Sequence, residues 1–129
     1  MLDTYSTNQV VTANNDISLN TVKLQTGRTV TLNHNTVHLN TPGIYTVSIH
    51  ATGSTTEGGT LGIQLYTNGQ PIERAAATAG TVAGVKVNLA FNTLLTVANS
   101  DYSNAGFTIR NTGSAGTLDV IEAVVTKIK

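Results

Sequence analysis

Gly43-Ile44-Tyr45-Thr46-Val47-Ser48-Ile49-His50-Ala51-Thr52-Gly53 is the stretch that decides the fold class. Tyr45, Val47, Ile49 and Ala51 fall on every second position, with Thr46, Ser48, His50 and Thr52 between them. A period of two is that of a strand with one apolar and one polar face, and it predicts a strand over Ile44–Thr52. Downstream, Leu61, Ile63 and Leu65 alternate with Gly62, Gln64 and Tyr66, and Asn68-Gly69 follows as a hairpin signal. Pro71 sets the start of the return strand. Val85, Val87, Leu89 and Phe91 alternate with Lys86, Asn88, Ala90 and Asn92, before a break into Leu94-Leu95-Thr96-Val97. The last strand carries Val120-Ile121 and Val124-Val125, consecutive apolar residues that predict burial on both faces.

The remaining predicted strands are Val10–Ala13, Val22–Gln25, Thr29–Leu32, Thr36–Leu39, Leu61–Thr67, Ile72–Ala77, Val82–Phe91, Leu94–Val97, Gly106–Asn111 and Leu118–Lys127. Short strands with regular Gly, Asn and Pro punctuation predict an all-β sandwich or barrel. Thr, Val, Ile and Asn dominate nearly every segment and are poor helix formers; only Ala75-Ala76-Ala77 offers a competing helical turn. Gly53 to Gly59 and Asn111 to Gly116 read as loops. Tyr45, Val47, Ile49, Leu89, Phe91 and Phe107 are the core candidates.

At 129 residues and 13.4 kDa the chain suits one domain. Seven basic and seven acidic side chains balance, so no basic surplus exists to neutralise a phosphate backbone, and nucleic-acid binding is not expected. Charged residues make up 11% against roughly 25% in an average domain, while there are 23 Thr and 13 Asn, so the surface is neutral and polar. Low charge at zero net charge favours self-association. The absence of Cys excludes disulfides, thiol nucleophiles and Cys-based metal sites. No apolar run is long enough to span a bilayer, Met1 to Val10 lacks the features of a signal peptide, and Met1 reads as the start of a complete chain.

Catalytic patterns are missing. Gly113-Ser114-Ala115-Gly116 is not a nucleophile elbow, and the seven acids form no clustered pair for glycoside hydrolysis. Gly58-Gly59-Thr60-Leu61-Gly62 and Gly80-Thr81-Val82-Ala83-Gly84 lack the Gly-Lys-Ser/Thr ending of a phosphate loop and read as turns. His34 and His38 lie on strand and turn, and four strand residues span roughly 13 Å, too far for one metal. Threefold symmetry would let a single histidine, His34, His38 or His50, surround an ion on the axis. A loop acid such as Asp101 would suit an unpatterned calcium site. No cofactor is otherwise expected. The Thr and Asn abundance fits either solvent-facing strands and turns or a glycan-binding surface.

Pro42-Gly43-Ile44-Tyr45-Thr46-Val47-Ser48-Ile49 followed by Leu61-Gly62-Ile63-Gln64-Leu65-Tyr66-Thr67-Asn68-Gly69-Gln70-Pro71-Ile72 resembles the C1q/tumour-necrosis-factor-like family in order and spacing, over residues 36–129. The whole chain is similar to small phage and prophage structural proteins, with a start like Thr4-Tyr5-Ser6-Thr7-Asn8 and an end like Val124-Val125-Thr126-Lys127. Collagen-like spore-surface glycoproteins carry a related terminal domain. The resemblance implies a jelly roll of about ten antiparallel strands, assembled as a homotrimer for display or attachment rather than catalysis. Residues 1–35 then join the jelly roll or form a short anchor. Tyr66, Gln64 beside it and Val125 of the last strand become interface candidates. The implied role is a virion structural or attachment protein contacting a host-surface glycan or another virion protein, without membrane insertion. The alternative is a trimerising module of a bacterial cell or spore surface. Lack of Cys, Trp and a collagen-like repeat sets cytokine-type signalling aside.

Overall fold

The computed structural model describes residues 1–98 and 105–129; Asp101, the calcium candidate, lies outside the described residues. Ten strands follow one another: β1 (Leu2–Val11), β2 (Thr21–Gln25), β3 (Val30–Asn33), β4 (Thr36–Leu39), β5 (Gly43–Thr55), β6 (Gly59–Thr67), β7 (Gln70–Thr81), β8 (Val87–Val97), β9 (Gly106–Asn111) and β10 (Gly116–Lys127). They form two five-stranded sheets, ordered β2-β1-β10-β5-β8 and β3-β4-β9-β6-β7, with neighbours antiparallel. The inner faces enclose one core. The first sheet contributes Leu2, Tyr45, Val47, Ile49, Leu89, Ile121 and Val125, and the second Val37, Leu61, Ile63, Leu65, Phe107 and Ile109.

Tyr45, Val47, Ile49, Leu89 and Phe107 are buried in this core, and Phe91 packs half-buried against its edge on β8. The Tyr45 hydroxyl donates to the Thr41 carbonyl at 2.5 Å, which removes the cost of enclosing a phenol. Asn68 and Gly69 both take positive φ, 50° and 76°, as a two-residue hairpin turn requires. Pro71 sits on β7, an edge strand, where its missing N–H costs the ladder nothing.

The predicted strand Val10–Ala13 is misplaced: β1 runs from Leu2 to Val11, paired with β10 on one side and β2 on the other, and the chain leaves the sheet at Thr12 and turns at Ala13. The inward positions of β1 are Leu2, Thr4 and Ser6, so apolar alternation is missing. The Thr4 hydroxyl is accommodated by donating to the Thr21 carbonyl at 2.7 Å. Residues 1–35 thus supply strands to both sheets.

Two further corrections concern strand limits. The segment Val82–Phe91 is not one strand: β7 runs on to Thr81, a turn follows, and β8 begins at Val87. That turn is closed by the Val85 amide on the Val82 carbonyl, with Gly84 at φ 76°. No break occurs at Asn92-Thr93, because pairing with Ser48 and Val47 of β5 holds both residues extended. Ala75, Ala76 and Ala77 are strand, as the predicted Ile72–Ala77 segment has them, with Ala76 and Ala77 paired to Gln64 and Ile63.

Gly53, Ser54 and Thr55 likewise belong to β5 rather than to a loop. A Cβ on Gly53 would come within 2.5 Å of the Thr117 carbonyl oxygen and 2.9 Å of Leu118 Cδ2. Glycine therefore lets β5 close on β10 where their register shifts between Leu118 and Val120. The last strand is buried on one face only: Ile121 and Val125 are enclosed, whereas Val120 and Val124 are half-buried on the outer face.

Candidate functional site

Strand register fixes the outward face of the first sheet as a grid. One row runs Asp3, Val124, Ser48, Asn92; the next Tyr5, Glu122, His50, Ala90; the next Thr7, Val120, Thr52, Asn88. Thr126, Thr46 and Leu94 extend it, and Leu94 is half exposed. The residues are small, neutral or apolar, with one exception in the middle.

That exception joins four strands. His50 of β5 and Glu122 of β10 are direct cross-strand partners, with His50 Nε2 2.7 Å from Glu122 Oε1. Lys23 of β2 places its Nζ 3.8 Å from Glu122 Oε2 and 3.9 Å from Asp3 Oδ2. Burial pushes the Asp3 carboxyl up from the usual range, helped by its hydrogen bond to Glu122 and by repulsion from that carboxylate, against the pull of Lys23 and His50. The hydrogen bonds from Asp3 and His50 hold Glu122 below its usual range, against burial and with help from Lys23. Of the two carboxyls, Asp3 is therefore the one that takes up a proton first as pH falls. Asp3 Oδ1 is enclosed with no hydrogen-bond partner, so the ionised form of Asp3 is poorly served.

The second sheet presents a groove outward over β4, β9 and β6, about 610 Å³, lined by Thr36, His38, Tyr66, Thr108 and Arg110 with Asp16, Asn68 and Gly69 at its rim. The Arg110 guanidinium lies 4.1 Å from the centre of the Tyr66 ring, a cation–π stack. Arg110 Nε donates to Asp16 Oδ1 at 3.4 Å. The segment that carries Asp16 is itself tied to β9, by the Ile17 amide on the Ile109 carbonyl at 2.7 Å and the Asn111 amide on the Asn15 carbonyl at 3.0 Å.

The interface candidates therefore fall in separate places. Tyr66 and Gln64 lie on this second face, with Gln64 Nε2 donating to the Ile72 carbonyl at 3.2 Å. Val125 corrects the expectation: it is fully enclosed between the sheets and offers no surface to another chain, because the register of β10 turns Val124 outward instead. His34 occupies the β3–β4 turn at φ 54°, His38 lines the groove and His50 sits in the carboxylate cluster, three different surroundings. Among the described residues no three His, Asp or Glu side chains are grouped to hold a metal, and no helix is long and apolar enough to cross a membrane.

No family model and no curated protein matches the sequence. Solved structures match over nearly the whole chain. Eiger TNF from S. frugiperda superposes with a TM-score of 0.70 at 10% identity, covering 99% of this chain and 92% of that one. The globular domain of zebrafish complement 1qA gives 0.65 at 9% identity, covering 95% and 94%. This chain has the C1q/TNF-like jelly-roll fold. PRD1 vertex protein P5 matches the same jelly roll with a TM-score of 0.64 at 13% identity, covering 99% and 96%.

Sequence reasoning missed Asp3, Lys23, Glu122 and Arg110 as a set of placed charges in this jelly roll. Glu122 meets His50 across 72 positions of chain, and Arg110 meets Asp16 across 94. Only the strand order brings these pairs together.

Proposed function

We propose that three copies of this chain pack the outward face of the first sheet around a common axis, forming a non-catalytic structural or attachment unit of a bacteriophage particle. The observation that carries the reading is the grid of Tyr5, Val120, Val124, Thr46, Ser48, Ala90 and Asn92, a broad face that is neutral outside one central cluster of ionisable groups. Val120 and Val124 are left half-buried by the single chain, and a neighbouring copy completes their burial. The four central charged or ionisable groups already satisfy one another in part, which lowers the cost of covering them. Likeness of fold to a phage vertex protein supports the virion setting. The groove of the second sheet stays free for a host-surface partner or another virion protein.

Light scattering on a sizing column tests the assembly. Three chains of 13.4 kDa give a species of about 40 kDa that persists on dilution. A 13.4 kDa species at every concentration overturns the trimer. Localisation of the protein to purified particles, by antibody labelling, tests the setting; its absence there with presence on a bacterial surface would favour a cell-surface display module.

A further inference from the structure

We propose that the groove over β4, β9 and β6 binds an oligosaccharide bearing a carboxylate, with Arg110 as the group that reads the anion. The inference deepens the attachment reading above and rests on it for its biological role, but the site is complete within one chain.

Arg110 is held in place before any ligand arrives. Its guanidinium stacks on Tyr66 at 4.1 Å, and its Nε is occupied by Asp16. A guanidinium carries five N–H donors in a planar fork, and the contact with Asp16 is single and long, 3.4 Å. Among the described residues, the terminal Nη groups donate no hydrogen bond to another side chain or carbonyl. They form a preoriented pair of donors suited to a carboxylate, and the side chain remains 31% exposed.

The rest of the groove fits sugar rather than peptide. Thr36, Thr108 and His38 supply hydroxyls and a ring nitrogen, groups that pair with sugar hydroxyls. A peptide would add to a free strand edge or seat an apolar side chain in a pocket. β4, β9 and β6 are interior strands with neighbours on both sides, and the groove has a mixed polar lining. Its volume of about 610 Å³ is enough for a short oligosaccharide.

The test is calorimetric titration of the full chain with sialyllactose and with a glucuronate-containing tetrasaccharide, each compared with lactose. At least one acidic saccharide is expected to bind, lactose roughly tenfold or more weakly, with Arg110→Gln losing about the same factor and Arg110→Lys falling between. The acidic preference should fade as salt is raised. Binding of neither acidic saccharide at millimolar concentration overturns the proposal, as does equal binding of lactose. An Arg110→Gln protein that folds and binds like wild type overturns it too. Should that variant not fold, the acidic-over-neutral preference of the wild type and its salt dependence decide alone. A monomeric chain that still binds would uphold this site while refuting the trimer; a trimer that binds no acidic saccharide would do the reverse.

Discussion

Asp3→Asn is expected to stabilise the protein at neutral pH. The Asp3 side chain is 12% exposed, and its Oδ1 is enclosed without a hydrogen-bond partner. Asparagine leaves an amide oxygen at that enclosed position, so what the substitution removes is the extra cost of enclosing a charged rather than a neutral acceptor, about 1 kcal/mol or more. The neighbouring Glu122 carboxylate adds repulsion, and Lys23 at 3.9 Å, itself 64% exposed, offsets only part of it. Asparagine keeps the shape, removes the charge and offers an N–H to the Glu122 carboxylate. A gain of about 1 kcal/mol at pH above 7 is expected, or roughly 3–5 °C in melting temperature for a chain of this size. A carboxyl whose pKa is raised on folding lowers stability once pH exceeds its folded value, and this loss disappears as pH falls below the unfolded value of about 4. The gain should therefore shrink toward zero near pH 3, where wild-type Asp3 is protonated. Glu122 has the opposite sign, its stabilisation being lost as pH falls through its depressed pKa. It is present in both proteins and largely cancels in the difference. Urea or thermal unfolding of both proteins at the two pH values is the assay. A variant less stable than wild type at neutral pH, or a gain unchanged at pH 3, would refute the reasoning.

Val124→Glu places a third carboxylate beside Asp3 on the first sheet's outer face; covering one unpaired charge per chain costs several kcal/mol, so three cost on the order of 10 kcal/mol. Its mass by light scattering should fall from about 40 kDa toward 13.4 kDa with circular dichroism still that of a β protein, and a variant that stays trimeric places the interface elsewhere. Tyr45→Phe removes the hydroxyl that donates to the Thr41 carbonyl and should cost about 1–2 kcal/mol in urea unfolding without changing the oligomeric mass.

Strands were legible where one face is apolar and its neighbours are turn residues. The alternation from Tyr45 to Ala51 marks β5, and Asn68-Gly69 gives the β6–β7 turn, because both signals are local. Of β1 only the end at Val10 and Val11 was legible, since Thr4 and Ser6 point into the sandwich and β10 and β2 supply the pairing that keeps the strand extended. Propensity was overruled in the same way at Ala75–Ala77 and at Asn92, where ladders to β6 and β5 outweigh local preference. Facing was harder still. Consecutive valines at 124 and 125 carry the same side chain, and one residue of register decides which of them is core and which is available to another copy. The same parity separates Tyr66 and Gln64 from the core-facing Leu65 between them, but it does not say which of two sheets they belong to. That depends on β6 pairing with β9 rather than with β5, a choice made by the crossover after Thr55. The charges obey the same logic: Asp3, Lys23, His50 and Glu122 are ordinary surface residues in the sequence, and become one cluster only when β2, β1, β10 and β5 line up. A face of this kind is a property of strand order, so substitutions that test it must be chosen by register, with Val124 the probe of the outer face and Val125 the control for the core.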